Sequence, residues 1–363
     1  MRIDRYWKQA AAGLLAIMTL TMTGGNLASL AMTNSQPLKA QGQMLSSPDK
    51  IIIRDEGETA QSSQAAAASQ PVIQAKAQIA AFGEVTTPKT DSTSLFGAGR
   101  LTNHDTAAQL LSVIIETGEG GLIVVDGGWT NNTDYLLNQI KQKGGHVQAW
   151  LLTHPDSDHV GALADILYKH NGEITIDSIY YSFAEDSWYA EKDPEVAKMV
   201  AYIKGAFGLV PQNILHGDIV SGQVIQAGPA RIQVLNQAYK MNNDFVNNSS
   251  VAYMVSLNGT NTVFLGDLAK SGGEQLMADH DLSALKCDIV QVAHHGQNGV
   301  GYEVYKALRP SVALWPTPQW LWDNDNGGGS GSGILLTQET KNWMVRLGVN
   351  ANYCIKDGDQ EIE

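Results

Sequence analysis

The sequence predicts a mixed fold of the α/β (or α+β) class, and two observations support this. From about residue 110 onwards, short apolar runs typical of buried strands alternate with segments of helical spacing. Several of these runs end directly in glycine, aspartate or histidine. In an α/β sheet, functional loops follow the carboxyl ends of the strands. The sequence therefore predicts a layered fold with its site at one sheet edge.

The individual elements follow from hydrophobic periodicity and from glycine-rich turns between the apolar runs. Helices are predicted where the apolar spacing changes from two residues to between three and four. The predicted strands are 110–115, 122–126, 147–152, 174–181, 218–225, 230–235, 250–257, 262–265, 288–293, 312–315 and 352–355. The predicted helices are 134–143, 161–169, 193–207 and 338–347.

The amino-terminal segment has the pattern of an export signal. Arg2, Arg5 and Lys8 precede the apolar run 10–20, and small residues at Ser29 and Ala31 suit a cleavage site after residue 31. We therefore expect residues 1–31 to be a signal peptide and the protein to be secreted or extracytoplasmic. An uncleaved segment that anchors the chain at the cell surface is the alternative.

Two further regions follow the predicted signal. Residues 32–90 are rich in Gln, Ser, Ala and Thr and carry few apolar clusters. Such a segment cannot bury enough surface to offset its ordering entropy, so a disordered tether is predicted. Residues 91–363 form the predicted folded domain.

Charge and composition limit the classes of partner. The chain has a net charge of −13, with 43% hydrophobic and 17% charged residues. This composition is that of a globular protein, and its charge argues against a broad nucleic-acid-binding surface, which needs a basic face. A membrane contact is expected only through the amino-terminal segment, if that segment stays uncleaved. A metal site acting on a phosphate ester remains compatible, because the cations bring their own positive charge.

The strongest chemical signal lies in residues 153–159, which follow the apolar run 149–152. Within six residues the chain places His154, Asp156, Asp158 and His159 at the end of a predicted buried strand. Burying four such side chains is unfavourable unless they are compensated. A pair of divalent cations is the simplest compensation, because imidazole and carboxylate are common metal ligands.

Two later motifs complete a family pattern. Gly266-Asp267 and His294-His295-Gly296 each follow an apolar run, and Asn248-Ser249-Ser250-Val251 precedes the first of them. With the 154–159 loop, this order resembles the metallo-β-lactamase superfamily over about residues 95–360. The usual loop of that superfamily is His-x-His-x-Asp-His. Here the second position of the loop is Asp156, and this form of the loop resembles the branch that contains the metallo-hydrolase domain of competence DNA-uptake channel proteins.

The resemblance implies a four-layer αββα sandwich with two divalent metal ions at one edge, Zn²⁺ with Mn²⁺ also admitted because three ligands are aspartates. The implied ligands are His154 and Asp156 for one ion, Asp158 and His159 for the other, Asp267 as the bridge, and His294 or His295 to complete the set. Asp158 and Asp267 are the predicted catalytic residues. Asp126 is expected to support a ligand or to cap the strand end rather than to bind a metal. His216 is expected to lie in a turn between strands, with a ligand role as the alternative.

The predicted function is an exported dinuclear metal-dependent hydrolase, a phosphodiesterase that uses a metal-bridging hydroxide. The alternatives are a β-lactam or lactone hydrolase and a catalytically silent binding domain. Trp315, Trp320 and Trp322 are predicted either to pack in the core or to form an aromatic wall that binds substrate. Since basic residues near the motifs are few, a small-molecule or cell-surface phosphodiester is a better expected substrate than a long polyanion.

Overall fold

A computed structural model describes residues 99–101, 108–118 and 120–362. The predicted signal peptide 1–31 and tether 32–90 lie outside the described residues, as do residues 91–98 of the predicted domain. In this described part of the chain, no helix combines the length and the hydropathy needed to cross a bilayer.

The first sheet contains the amino-terminal strands and the final strand of the chain. Its spatial order is β15-β1-β2-β3-β4-β6-β7, and β5 pairs with β4 beside β6. The pairs from β15 to β3 are antiparallel, and those from β3 to β7 are parallel. The strands are β1 (Gly99–Leu101), β2 (Ser112–Gly118), β3 (Gly121–Asp126), β4 (His146–Leu151), β5 (Thr175–Ile176), β6 (Ile179–Tyr180), β7 (Leu215–His216) and β15 (Gln360–Ile362).

The second sheet has the order β14-β13-β12-β11-β10-β9-β8. Its first four strands along the chain pair antiparallel, and the pairs from β11 to β14 are parallel. The strands are β8 (Val224–Ala227), β9 (Ala230–Val234), β10 (Tyr253–Leu257), β11 (Thr260–Phe264), β12 (Ile289–Gln291), β13 (Val312–Trp315) and β14 (Ala351–Cys354).

Helices cover the outer faces of both sheets. They are α1 (Thr133–Gln142), α2 (Ser157–Lys169), α3 (Asp186–Lys192), α4 (Pro194–Phe207), α5 (Lys270–Asp279), α6 (Tyr302–Leu308), α7 (Gln319–Trp322) and α8 (Thr337–Leu347).

Three hydrophobic clusters define four layers. The inner faces of both sheets pack against each other in one cluster, which takes Val113 and Ile115 from β2. The residue between them, Ile114, faces the cluster formed with α1, α2 and α4. The outer face of the second sheet packs on α5, α6 and α8 in the third cluster. Alternation with a period of two residues therefore builds the predicted αββα sandwich, because successive strand side chains point to opposite faces.

Sequence patterns missed or misplaced several elements. The predicted strand 174–181 is two short strands, β5 and β6, and the predicted strand 218–225 begins only at Val224. Helix α5 was not predicted, since Gly272 and Gly273 lower its helix propensity. Helices α3, α6 and α7 were also missed, because helices of seven residues or fewer show no more than about two turns of periodicity.

The parallel strand pairs bring the motif residues to one edge. In the first sheet the parallel strands β3 and β4 end at Asp126 and at Leu151, and β4 leads directly into the 153–159 loop. In the second sheet β11 and β12 run in parallel and end just before Asp267 and His294. The opposite ends of β2 and β3, and of β10 and β11, are joined by short turns at Gly118–Gly121 and Asn258–Gly259.

Candidate metal centre

The 153–159 loop owes its shape to the start of a helix. Helix α2 begins at Ser157, and the carboxylate of Asp156 caps it by accepting a hydrogen bond from the Ser157 backbone N–H at 2.8 Å. Asp158 and His159 therefore lie in the first helical turn, and both are buried. His154 is buried on the extended segment before the helix, whereas Asp156 is half-buried.

The loops of the second sheet use left-handed backbone instead. Gly266 has φ +55°, and a Cβ there would lie 2.8 Å from Thr153 Cβ and 2.9 Å from Ser250 Oγ. His294 and His295 follow β12 with φ of 51° and 54°. Left-handed backbone costs about 1–2 kcal/mol for a residue with a side chain, so two in succession must be held by their surroundings.

Ligand atoms from both sheets converge. Asp267 Oδ2 lies 3.3 Å from His159 Nε2 and 3.1 Å from His295 Nε2. Asp158 Oδ2 lies 3.2 Å from His295 Nε2, and the His154 and His159 ring centroids are 4.2 Å apart. Two overlapping groups keep their ligand atoms within 4.8 Å of one another: His154, His159 and Asp267, and Asp158, His159 and His295.

Seven residues were predicted as ligands, and the structure places five of them in these groups. Asp156 and His294 are outside both groups. Asp156 serves as the helix cap, and His294 is half-buried beside His295 at a centroid distance of 6.1 Å.

Unpartnered buried atoms show that the donor set suits cations. Among the described residues, the Nε2 atoms of His154, His159 and His295 are buried without a hydrogen-bond partner, as are Asp267 Oδ1 and His294 Nδ1. A buried polar atom without a partner costs about 1–3 kcal/mol, so a cluster of them is unfavourable by itself. Imidazole nitrogens and carboxylate oxygens are suitable ligands for Zn²⁺ or Mn²⁺, which would satisfy these atoms.

The charges of the cluster reinforce each other. Burial favours the neutral carboxyl, but the imidazoles of His295 and His159 hold the pKa of Asp267 well below its usual range. Burial opposes a charged imidazole, yet the carboxylates of Asp267 and Asp126 raise the pKa of His159 well above its usual value. The pKa of His295 rises to about 9 against the effect of burial, through Asp267 and Asp158.

His154 and Asp156 are shifted in the opposite sense. Burial and the neighbouring His159 lower the pKa of His154 to about 3, which keeps its imidazole neutral. Burial and the nearby carboxylate of Asp158 raise the pKa of Asp156 to about 7. A second carboxylate this close to Asp158 is hard to ionise without a positive charge between them.

Two hydrogen bonds orient the candidate ligand histidines His159 and His295. His159 Nδ1 donates to Asp126 Oδ2 at 2.7 Å, and Asp126 also accepts from the backbone N–H and hydroxyl of Thr153 at 2.8 and 2.7 Å. His295 Nδ1 donates to the carbonyl of Pro316 at 2.9 Å. In both rings Nε2 is therefore the free nitrogen, and it faces the cluster. Asp126 thus has the supporting position expected from the sequence.

Two residues near Asp158 were missed by sequence reasoning. Gln109 Nε2 donates to Asp158 Oδ2 at 3.3 Å, and Trp129 Nε1 holds the Gln109 carbonyl at 2.6 Å. The glycines at 127 and 128 mark a strand exit just before Trp129 and could have drawn attention to it. Gln109 carries no comparable sequence signal.

The aromatic wall requires a correction for two of its three members. Trp315 is fully buried and Trp322 is 5% exposed; they pack edge-to-face in the outer core cluster at a centroid distance of 5.2 Å. Side chains enclosed in this way cannot present a ring face to a substrate. The packing interpretation therefore applies to both, while Trp320 is half-buried.

His216 also lies away from the candidate ligand groups. It belongs to the short strand β7 and not to the expected turn, and it stacks on Tyr180 at a centroid distance of 4.6 Å. Its Nε2 is 3.3 Å from the hydroxyl of Ser178.

A family model described as the metallo-β-lactamase superfamily matches residues 106–224, which include the 154–159 loop. This match agrees with the resemblance of the sequence motifs to that superfamily. Among curated proteins it is similar to ComE operon protein 3 of Bacillus subtilis (strain 168), with 28% identity over 171 residues. That match covers 46% of this chain, but the chain spans only 20% of the relative's length.

Solved metallo-β-lactamase-fold structures are also similar to this chain. YhfI from Bacillus subtilis matches with 11% identity and a TM-score of 0.44, covering 73% of this chain and 99% of YhfI. MEM-A1, a subclass B3 metallo-β-lactamase from a soil metagenome library, matches with 17% identity and a TM-score of 0.38. That alignment covers 71% of this chain and 92% of MEM-A1.

Proposed function

We propose that this chain is a metal-dependent hydrolase that binds two divalent cations and cleaves a phosphodiester. The observation that carries the proposal is the convergence of Asp158, His159, Asp267 and His295 from two different sheets, with unpartnered ligand atoms facing one another. A silent binding domain would have no need of such an unfavourable cluster of buried charges.

The geometry supports a division of the ligands between two ions. An imidazole nitrogen coordinates one ion, so His159 Nε2 can serve only one of the two overlapping groups. Asp158, His159, His295 and Asp267 Oδ2 form the compact set for one ion. His154, Asp156 and the second oxygen of Asp267, which is buried without a hydrogen-bond partner, then remain for the other.

The bound ions would supply Lewis acidity and lower the pKa of water enough to give a nucleophile at neutral pH. The protein supplies orientation. Asp126 and the Pro316 carbonyl hold the two histidine rings with Nε2 inward, and Asp267 spans the two ligand sets. His294 is half-buried at the rim with its own Nδ1 unpartnered, which suits a hydrogen bond to a substrate oxygen.

Two features favour a phosphodiester over a β-lactam or lactone. The aspartate at position 156, in place of the usual second histidine, makes the donor set richer in oxygen. The similarity to ComE operon protein 3 agrees with the resemblance to the competence branch. The net charge of −13 supports a small-molecule or cell-surface substrate rather than a long polyanion.

One experiment tests the function and its alternatives. Purified protein is analysed for metal content and assayed with bis-(p-nitrophenyl) phosphate and with a chromogenic cephalosporin, before and after removal of metal by a chelator. We expect about two ions per chain, phosphodiester turnover that a chelator abolishes, and a lower Tm without metal. Turnover of the cephalosporin alone would support lactam hydrolysis, and metal binding without turnover of either would support a binding role.

We also propose that the protein is exported through its amino-terminal signal, as the basic residues and apolar run within 1–31 suggest. Intact-mass analysis of culture supernatant tests this, and a mature chain that begins after residue 31 is expected. Full-length chain found only in the membrane fraction would contradict cleavage and favour the surface anchor.

A further inference from the structure

Three fully buried polar side chains surround the backbone that carries Asp267. They are Gln291, Ser250 and Asn248, each of which has no measurable exposure. None is a candidate ligand, and they come from strand β12 and from the segment before β10. Buried polar side chains are unfavourable unless they are satisfied, so their partners indicate what they stabilise.

Gln291 joins the ends of the two strands that carry the later ligands. Its Oε1 accepts a hydrogen bond from the Leu265 N–H at 2.8 Å, and its Nε2 donates to the carbonyls of Gly266 and Val292 at 3.0 and 2.8 Å. The Gly266 carbonyl also accepts from the N–H of His294 at 3.1 Å. One carbonyl therefore links the Asp267 loop to the His294–His295 loop.

Ser250 acts on Asp267 itself. Its Oγ accepts the backbone N–H of Asp267 at 3.0 Å. The same hydroxyl would lie 2.9 Å from a Cβ at Gly266, so the loop approaches it as closely as a glycine allows. The peptide just before the Asp267 side chain is thus fixed by one hydroxyl.

Asn248 fixes the chain on the other side of Asp267. Its Oδ1 accepts from the N–H groups of Ala269 and Gly272 at 3.1 and 3.0 Å, and its Nδ2 donates to the Asn243 carbonyl at 2.9 Å. Helix α5 starts at this point, and its own N-cap residue, Ala269, has no side-chain oxygen to offer. Asn248 therefore caps the helix from a distant part of the chain.

We propose that Gln291, Ser250 and Asn248 are positioning residues that hold Asp267 where its two oxygens can reach two ions. This inference rests on the proposed dinuclear site. A bridging carboxylate must be placed within about 0.5 Å to serve both ions, and the left-handed turn at Gly266 does not define that position alone. The three side chains supply acceptors and donors to residues 265, 266, 267, 269 and 272, on both sides of the carboxylate.

The test compares metal binding in the full-length protein and in Ser250→Ala, Asn248→Ala and Asn248→Asp variants. Competition with a chromophoric chelator gives the affinity for each ion, and the visible spectrum of the Co²⁺-loaded protein reports the coordination geometry. Ser250→Ala and Asn248→Ala should weaken binding by about 10–100-fold and alter the Co²⁺ spectrum. Asn248→Asp keeps an oxygen acceptor at the helix start but loses the amide donor to the Asn243 carbonyl, so its affinity should lie between those of Asn248→Ala and wild type.

Thr117→Val is the matched control for losing a buried hydroxyl. Thr117 is 4% exposed and donates to the Gly121 carbonyl at 3.0 Å, at the end of β2 remote from Asp126. This variant should lower Tm without changing metal affinity or the Co²⁺ spectrum. A merely structural role would make Ser250→Ala behave in the same way.

The outcomes separate this inference from the proposed function. Wild-type protein that binds no Co²⁺ would overturn both. Wild-type protein that binds two ions, together with Ser250→Ala and Asn248→Ala variants that bind them with unchanged affinity and spectrum, would overturn the positioning role alone. Should Ser250→Ala fail to fold, the difference in affinity between Asn248→Asp and Asn248→Ala decides the matter.

Discussion

The two sheets hold their share of the candidate metal centre in different ways. The first sheet supplies its ligands from one continuous segment, His154 to His159, shaped by the first turn of α2. The second sheet supplies Asp267 and His295 from two loops with left-handed backbone, at Gly266 and at His294–His295. These loops are stabilised by buried side chains from elsewhere in the chain, such as Ser250 and Gln291.

This difference shows that the spacing of candidate ligands is determined by local backbone structure, whereas their support comes from residues distant in the sequence. In the 154–159 segment, the helix start fixes the spacing through local backbone geometry, and few other residues are needed. Around Asp267, local geometry is strained and the position comes from long-range hydrogen bonds. More supporting residues should therefore be sensitive to substitution around Asp267 than around the 154–159 segment, where Asp126 is the main long-range support.

Asp267→Ala should give the largest effect. Asp267 Oδ2 contacts Nε2 of both His159 and His295, and its Oδ1 is buried without a hydrogen-bond partner, so the substitution removes oxygens that the proposal assigns to both ions. Loss of a residue that only supports a metal ligand typically lowers metal affinity or activity by about 10–100-fold. Loss of a ligand itself should therefore lower kcat for a phosphodiester by more than about 100-fold. Steady-state kinetics with metal analysis measure this, with the exposed Asp134→Ala as control. A near-normal kcat in Asp267→Ala would show the dinuclear proposal to be wrong.

Gly266→Ala tests the strained loop of the second sheet. The new Cβ would meet Thr153 Cβ and Ser250 Oγ below 3.0 Å, at a φ of +55°. Strain and overpacking together should lower the free energy of unfolding by about 2–4 kcal/mol. Gly172→Ala is the control, since Gly172 has φ +86° with open space around it. Denaturant unfolding measures the free energy of unfolding of both variants. Equal losses would mean that the close contact of Gly266 with Thr153 and Ser250 does not contribute.

Asp126→Asn tests the strongest support of the first region. Asp126 accepts hydrogen bonds on both oxygens, from Thr153 and from His159. An asparagine must place its NH₂ toward one of these donors, so His159 loses its fixed orientation. Metal affinity should fall by about 10–100-fold. Chelator competition gives the value, and unchanged affinity would show that the start of α2 alone orients His159.

Gln109→Leu should have the smallest effect of the four. Its hydrogen bond to Asp158 is 3.3 Å long, and the side chain is half-buried. Since Leu111 N–H also holds the Asp158 carbonyl at 3.2 Å, loss of the amide should weaken metal binding only about 3–10-fold. A loss of metal affinity as large as that of Asp126→Asn would show that Gln109, and not helix α2 alone, positions Asp158. The difference between the two regions would then be smaller than described.

The sandwich was predictable from the sequence where periodicity is clear. The continuous apolar runs at 110–115 and 122–126 predicted β2 and β3 to within a few residues. Helix α5 was not predictable, because its start is capped by Asn248 from a distant segment and it contains two glycines. Strand β7, of two residues, shows no periodicity at all.

For the candidate centre, the sequence indicated ligand types but not their orientation. His294 and His295 could not be distinguished from the motif, because only the hydrogen bond of His295 to the Pro316 carbonyl shows which ring is aimed at Asp267. Trp315 and Trp322 were ambiguous because a tryptophan pattern does not reveal which sheet face it occupies. The position of Trp315 under the outer helices follows from the strand register of β13, and Trp322 packs against Trp315 from the short helix α7.

The short turn at Asn258–Gly259 has a consequence for how this domain can change. It joins β10 to β11 at the end of the second sheet that points away from Asp267. The turn at Gly118–Gly121 occupies the equivalent end of β2 and β3 in the first sheet. Segments, tags or whole domains inserted at these hairpins would extend the domain at the sheet ends that lie away from the candidate metal centre. New binding partners can thus be acquired there in single steps, whereas an insertion near Gly266 disturbs two ligand loops at once.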